Sequence, residues 1–181
     1  LEIAPAEAPR RIAVVGAGPA GMSCAITAAQ RGHDVTLFEQ AAAIGGQLNM
    51  ARRVPGKEEF DGLVDWFGAM LAETGVTVRL NTRADAGALA GFDAVVVATG
   101  VLPRDPGIPG QDHPSVLSYV DVLRDSAPVG RKVAVIGAGG IGFDVSEFLV
   151  TGKSPTMHAP EWLREWGVAD PEDARSGLAP E

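Results

Sequence analysis

The stretch Arg11-Ile12-Ala13-Val14-Val15-Gly16-Ala17-Gly18-Pro19-Ala20-Gly21 decides the fold. The unbroken apolar run from Ile12 to Val15 suits a parallel strand buried on both faces. Three glycines follow, each with its own task in a strand–turn–helix unit. Gly16 turns the chain out of the strand. Gly18 leaves room for a pyrophosphate against the backbone, and Gly21 lets the helix lie close to the strand. Pro19 and Ala20 open that helix, whose first-turn N–H groups and positive dipole end attract phosphate. It is expected over 19–31, with Gly32 suited to its C-terminal stop.

Working outward, Val35 to Phe38 reads as a second strand with Glu39 at its end and Gln40 beside it. A carboxylate there can accept hydrogen bonds from ribose hydroxyls. Glycines alone are a weak signal. A strand before, a helix after and an acid at the end of the second strand make them a strong one for a dinucleotide, read here as FAD. Residues 41–56 form a loop rich in Gly and Ala. A helix is expected over 57–73, because Phe60, Val64, Phe67 and Leu71 share one helical face. Residues 76–80 and 94–98 complete the expected strands. The fold class is therefore α/β, a Rossmann-like FAD-binding βαβ domain with a parallel sheet.

The opening motif recurs. Lys132-Val133-Ala134-Val135-Ile136-Gly137-Ala138-Gly139 echoes residues 11–18 and runs on through Gly140 and Ile141 to Gly142. This reads as the start of a second, incomplete NAD(P)H-binding unit, since no second strand and no discriminating acid or arginine follow. Asp144 lies inside its helix and reads as a cap or a solvent contact. Between the two units, Pro103, Pro106, Pro109 and Pro114 mark a connector. The expected division is an FAD-binding domain over 1–110, a connector over 111–130 and the start of the second domain over 131–181. One short helix is expected around Trp162 to Trp166. Two nucleotide units in series fit hydride exchange between a flavin and a nicotinamide, with the protein supplying position and electrostatics.

Composition narrows the function classes. The chain has 181 residues, 46% apolar, and a net charge of -8, which argues against a nucleic-acid surface. Its single cysteine, Cys24, permits no disulfide framework, no redox dithiol and no cysteine-built metal centre. It reads as a small core residue, and its isolation fits a reducing, cytoplasmic setting. No apolar run reaches membrane-spanning length and no signal peptide is visible, so no membrane partner is expected. The start at Leu1 fits trimming, disorder or excision from a longer protein. His33, His113 and His158 are scattered and read as surface or turn residues. Trp162 and Trp166 read as one packing face, and Tyr119 as packing in the connector. Arg52 and Arg53 could reach phosphates or be solvated, with Arg52 the favoured contact.

These residues resemble the flavoproteins with tandem FAD and NAD(P)H domains. Gly45-Gly46-Gln47-Leu48 is similar to that family's second flavin-contact loop, and Ala98-Thr99-Gly100 to the motif ending the strand before the crossover. Ala84 stands where relatives set backbone groups against adenine. Longer stretches resemble bacterial NADPH-dependent 2,4-dienoyl-CoA reductases: residues 55–60, 113–119, 121–125, 127–130, 139–144, 165–168 and 177–180. The resemblance implies an upstream barrel domain of the same polypeptide holding FMN, a 4Fe-4S cluster and the acyl-CoA substrate. It implies electron flow from NADPH through FAD and the cluster to FMN and dienoyl-CoA, in fatty-acid β-oxidation. No substrate acid or base and no metal ligand are assignable in this chain, and the isolated chain is expected to be inactive. Two alternatives stay open. One is the nucleotide portion of another barrel flavoenzyme, an amine dehydrogenase or enoate reductase. The other is a nucleotide-binding fragment without turnover.

Overall fold

The computed structural model describes residues 3–178; residues 1–2 and 179–181, at the ends of the two expected domains, lie outside the described residues. The elements run β1 (Arg11–Val15), α1 (Pro19–Gln30), β2 (Asp34–Phe38), α2 (Leu48–Ala51), α3 (Glu59–Glu73), β3 (Thr77–Arg79), α4 (Ala86–Leu89), β4 (Ala94–Val97), α5 (Tyr119–Leu123), α6 (Gly140–Val150) and α7 (Ala159–Glu165). They fall into two compact units. One comprises residues 1–51 and 60–117, the other 52–59 and 118–181. Residues 52–59 pack with the second unit although they precede most of α3 in the chain.

The first unit is a Rossmann-like α/β unit built on a four-stranded sheet of order β3-β2-β1-β4. All three pairings are parallel, with Val14 opposite Leu37 on one side and Val96 on the other. Parallel neighbours cannot be joined by a hairpin, so the connections carry helices. The helical face of the sheet holds the core. Val14, Val35 and Leu37 pack with Met22, Ala25 and Ile26 of α1 and with Phe67 and Leu71 of α3. Of the expected stripe on α3, Val64, Phe67 and Leu71 are buried and Phe60, in the first turn, is partly buried. Cys24 is half-buried against this cluster.

The opposite face is unevenly covered. Phe38 is buried there, edge-on to Phe92 and beneath the Arg79 guanidinium. On β4 the same face is bare, with Val97 72% exposed. Burying such a side chain is worth about 1.5–3 kcal/mol, so this row is an unused source of stability.

In the second unit, α5 opens on a capping box between Ser118 and Asp121, and Trp162 and Trp166 stack with ring centroids 5.8 Å apart. The expected strand at 132–136 does not form. No neighbouring strand pairs with it among the described residues, and Val133, Val135 and Ile136 stay exposed. An apolar run becomes a parallel strand only where a ladder partner takes up its backbone groups. The helix after it, α6, forms as expected. Among the described residues, no helix is long and apolar enough to cross a membrane.

Candidate functional site

The first glycine turn is closed by contacts that only glycine allows. Gly16 has φ of +105°, and a Cβ there would lie 2.4 Å from the Ala98 carbonyl oxygen. A Cβ on Gly21 would lie 1.8 Å from the Gly16 carbonyl oxygen. These two glycines are demanded by the fold itself. Gly18 is different. Its φ of -76° suits any residue, and a Cβ would meet nothing within 4 Å. Neither strain nor packing asks for glycine at this position, and a side chain there would stand in open space.

That space stands at the start of α1. Gly18 caps the helix without any side-chain hydrogen bond, so its first-turn donors have no internal side-chain partner. By contrast, α4 and α5 are capped by Asp85 and Ser118. Glu39 is fixed beside the turn. Its Oε2 accepts from the Ala17 N–H and its Oε1 from the Ala41 N–H, both at 2.8 Å. Each oxygen keeps a further lone pair for a hydroxyl donor.

Two other segments converge on the turn. The Gly45 N–H donates to the Ala17 carbonyl at 2.8 Å, and a Cβ on Gly46 would stand 3.0 Å from the Gly18 Cα. The Gln47 side-chain amide donates to the Val101 carbonyl at 3.1 Å, while the Ala98 N–H donates to the Val15 carbonyl. Thus the structure brings Gly16, Gly18, Gly21, Glu39, Gly45, Gly46, Gln47 and Ala98 together. Pro19 and Ala20 form the exposed first turn of α1, and Thr99 and Gly100 continue exposed from Ala98. Gln40 is exposed beyond Glu39. Ala84 is partly buried just before the α4 cap, on a loop tied to Glu39 through the Thr82 N–H.

Arg52, Arg53 and Asp144 lie in the second unit, the two arginines in its 52–59 segment. Arg53 is not simply solvated. It donates to the Leu123 and Arg124 carbonyls and to Ser126 Oγ, and its guanidinium covers the Phe148 ring. Asp144 is neither a cap nor a free solvent contact: both its oxygens lie 2.7 Å from Lys57 Nζ. Desolvation pushes the Glu58 carboxyl up, but hydrogen bonds with Ser154, Thr156 and the Gly56 N–H outweigh it and hold the group below the ordinary range.

The second glycine turn repeats the first. Gly137 has φ of +118°, and a Cβ on Gly142 would lie 2.1 Å from the Gly137 carbonyl oxygen. Gly139 caps α6 without a side-chain bond, and a Cβ on Gly139 or Gly140 would meet nothing within 4 Å. Ile141 follows, exposed.

Asn49, which belongs to no motif, supports the 45–47 loop. Its side-chain amide donates to the Ile44 carbonyl at 2.8 Å, directly beneath Gly45. A polar residue two positions after Gln47, in a helix of one turn, is the only sequence signal for it. Among the described residues, no cluster of His, Cys, Asp and Glu could hold a metal ion.

Residues 10–157 match the family model described as pyridine nucleotide-disulphide oxidoreductase. An NADH oxidase from Thermoanaerobacter brockii is 40% identical over 154 residues, covering 82% of this chain and 24% of the relative. An N,N-dimethylglycine/sarcosine dehydrogenase from Chromohalobacter salexigens is 40% identical over 143 residues, covering 74% of this chain and 21% of the relative. Among solved structures, a 2-naphthoyl-CoA reductase in complex with 2-naphthoyl-CoA superposes with a TM-score of 0.78 at 35% identity, over 82% of this chain and 23% of that one. The chain thus spans about a quarter of the length of these relatives.

Proposed function

The chain belongs to the pyridine nucleotide-disulphide oxidoreductase family, and from that membership we propose that it is the FAD-holding part of an NADPH-dependent 2,4-dienoyl-CoA reductase. It is related to flavin oxidoreductases that include alkene reductases and amine dehydrogenases, and the family implies FAD and NAD(P)H as ligands. The residues present fit FAD. The observation that carries this is the open space at Gly18, bordered by a helix start without a side-chain cap and by Glu39 fixed through Ala17 and Ala41.

In this reading the open first turn of α1 receives the pyrophosphate, and Glu39 takes the adenosine ribose hydroxyls. Gly45, Gly46 and Gln47 hold the flavin side of the ligand together with Ala98, Thr99 and Gly100, the segment to which Gln47 is tied through Val101. The backbone at Ala84 is a contact for adenine. The turn from Gly137 to Gly142 receives the nicotinamide dinucleotide. Once bound, the flavin supplies the hydride and electron chemistry. The chain's own residues bind and orient it; none of them stands as a substrate acid or base. The barrel domain with FMN, the 4Fe-4S cluster and the acyl-CoA substrate belongs to the same longer cytoplasmic polypeptide. The long stretches resembling dienoyl-CoA reductases support the substrate class, as does a solved relative that acts on an aromatic acyl-CoA.

A second reading keeps the nucleotide site and changes the substrate to a methylated amine. The similarity to the sarcosine dehydrogenase favours it. Purified chain should be yellow or take up FAD, and mass spectrometry of the extracted nucleotide should return FAD rather than ADP. A folded, colourless protein that cannot be loaded overturns the FAD assignment. Assay of the whole polypeptide with NADPH and either a 2,4-dienoyl-CoA or sarcosine then separates the two substrates.

A further inference from the structure

Helix α6 carries an acid that works against the ligand proposed for its N-terminus. Asp144 stands four residues after Gly140, which is about 6 Å along a helix axis. The first turn of α6 holds no acid, and beyond that turn the helix dipole stabilises a carboxylate little. The Asp144 charge repels a pyrophosphate arriving at the helix start. The structure answers that charge from far away in the sequence. Lys57 Nζ lies 2.7 Å from both Asp144 oxygens, with the two side chains 38% and 30% exposed.

The segment that delivers Lys57 is held within the same unit on both sides. Before it, Arg53 is bonded to the carbonyl end of α5. After it, Glu58 accepts from Thr156 Oγ1 at 2.9 Å and from the Gly56 N–H. Lys57 is therefore presented to Asp144 by a braced strap rather than by a freely moving tail.

We propose that Lys57 is a positioning residue for dinucleotide affinity at the second glycine turn: it neutralises Asp144, so that the start of α6 stays attractive to a pyrophosphate. This rests on the reading of Gly137 to Gly142 as the nicotinamide-dinucleotide turn. An uncompensated charge at such a distance, partly screened, changes affinity by about three- to tenfold.

The test is a fluorescence titration with NADPH at low ionic strength, using the full chain and three variants. Lys57→Met should weaken binding by about three- to tenfold. Asp144→Asn should tighten it, because Lys57 is then uncompensated. The double variant should return close to wild type. All differences should shrink in 0.5 M salt, where the Debye length falls to about 4 Å. A purely structural clasp makes a different prediction, with both single variants weakening binding alike. That result, or no shift in either variant, overturns the proposal while leaving the glycine turn intact. If folded wild type binds no NADPH at all, the reading of the turn falls and the proposal with it. Should Lys57→Met fail to fold by circular dichroism, Asp144→Asn and the double variant decide the matter.

Discussion

The Glu39 carboxylate accepts the Ala17 N–H at 2.8 Å, so the end of the second strand grips the turn that leaves the first. Charge-assisted bonds of this kind are worth about 1.5–3 kcal/mol each. Glu39→Gln offers one neutral acceptor in place of two charged ones. It should lower stability by about 1–2 kcal/mol and weaken FAD binding about tenfold or more. Glu39→Ala should do both to a greater degree. Thermal melts and FAD titration followed by absorbance check this; unchanged FAD affinity in both variants would remove Glu39 from the site.

The glycines at 18 and 21 should separate binding from folding. Gly18→Ala meets empty space, so its melting temperature should stay within about 2 °C of wild type while FAD loading falls sharply. Gly21→Ala drives a Cβ into the Gly16 carbonyl, an overpacking that costs about 3 kcal/mol or more. Its loss of stability should appear in apoprotein and loaded protein alike.

Gln47 ties its loop to Val101 through a single exposed bond, worth about 0.5–1 kcal/mol. Gln47→Ala should leave global stability almost unchanged. It should speed limited proteolysis between residues 41 and 51, and FAD should dissociate faster. A cleavage pattern identical to wild type would mean that the loop is held by other contacts.

Hydrogen bonds from Ser118, by side chain first and then by backbone, hold the Asp121 carboxyl below its ordinary value. A carboxyl depressed in the folded state contributes stability above the unfolded pKa and loses it as pH falls through the folded one. The start of α5 should therefore fray only below about pH 4. In Ser118→Ala the Asp121 titration, followed by carboxyl NMR, should move back up towards the ordinary range.

How far the site is legible in the sequence depends on how local its causes are. Gly16, Gly21 and Glu39 carry their reasons within one strand–turn–helix unit, and they stand as the motif implies. The stripe on α3 is legible because only a helix puts Val64, Phe67 and Leu71 on one face. What escapes is decided by distant partners. Nothing near Asp144 announces Lys57, and nothing near Arg53 announces Phe148. The apolar run at 132–136 looks like β1, yet strand formation depends on a neighbour that a sequence pattern does not reveal. The one-turn helix α2 and its Asn49 are too short for any periodicity to register.

That unpaired run also bears on the order in which the molecule assembles. The turn from Gly137 to Gly142 places Gly142 against the Gly137 carbonyl as Gly21 stands against Gly16, although no strand among the described residues pairs with those before it. In this structure its shape is reached through contacts within the segment itself, Gly142 against the Gly137 carbonyl and the Val135 side chain. Contacts so close in sequence carry little loop-closure entropy and form fast. During folding the second turn can be in place before any strand pairs, whereas the first is completed only when β1 meets its neighbours and Glu39 and Ala98 close on it.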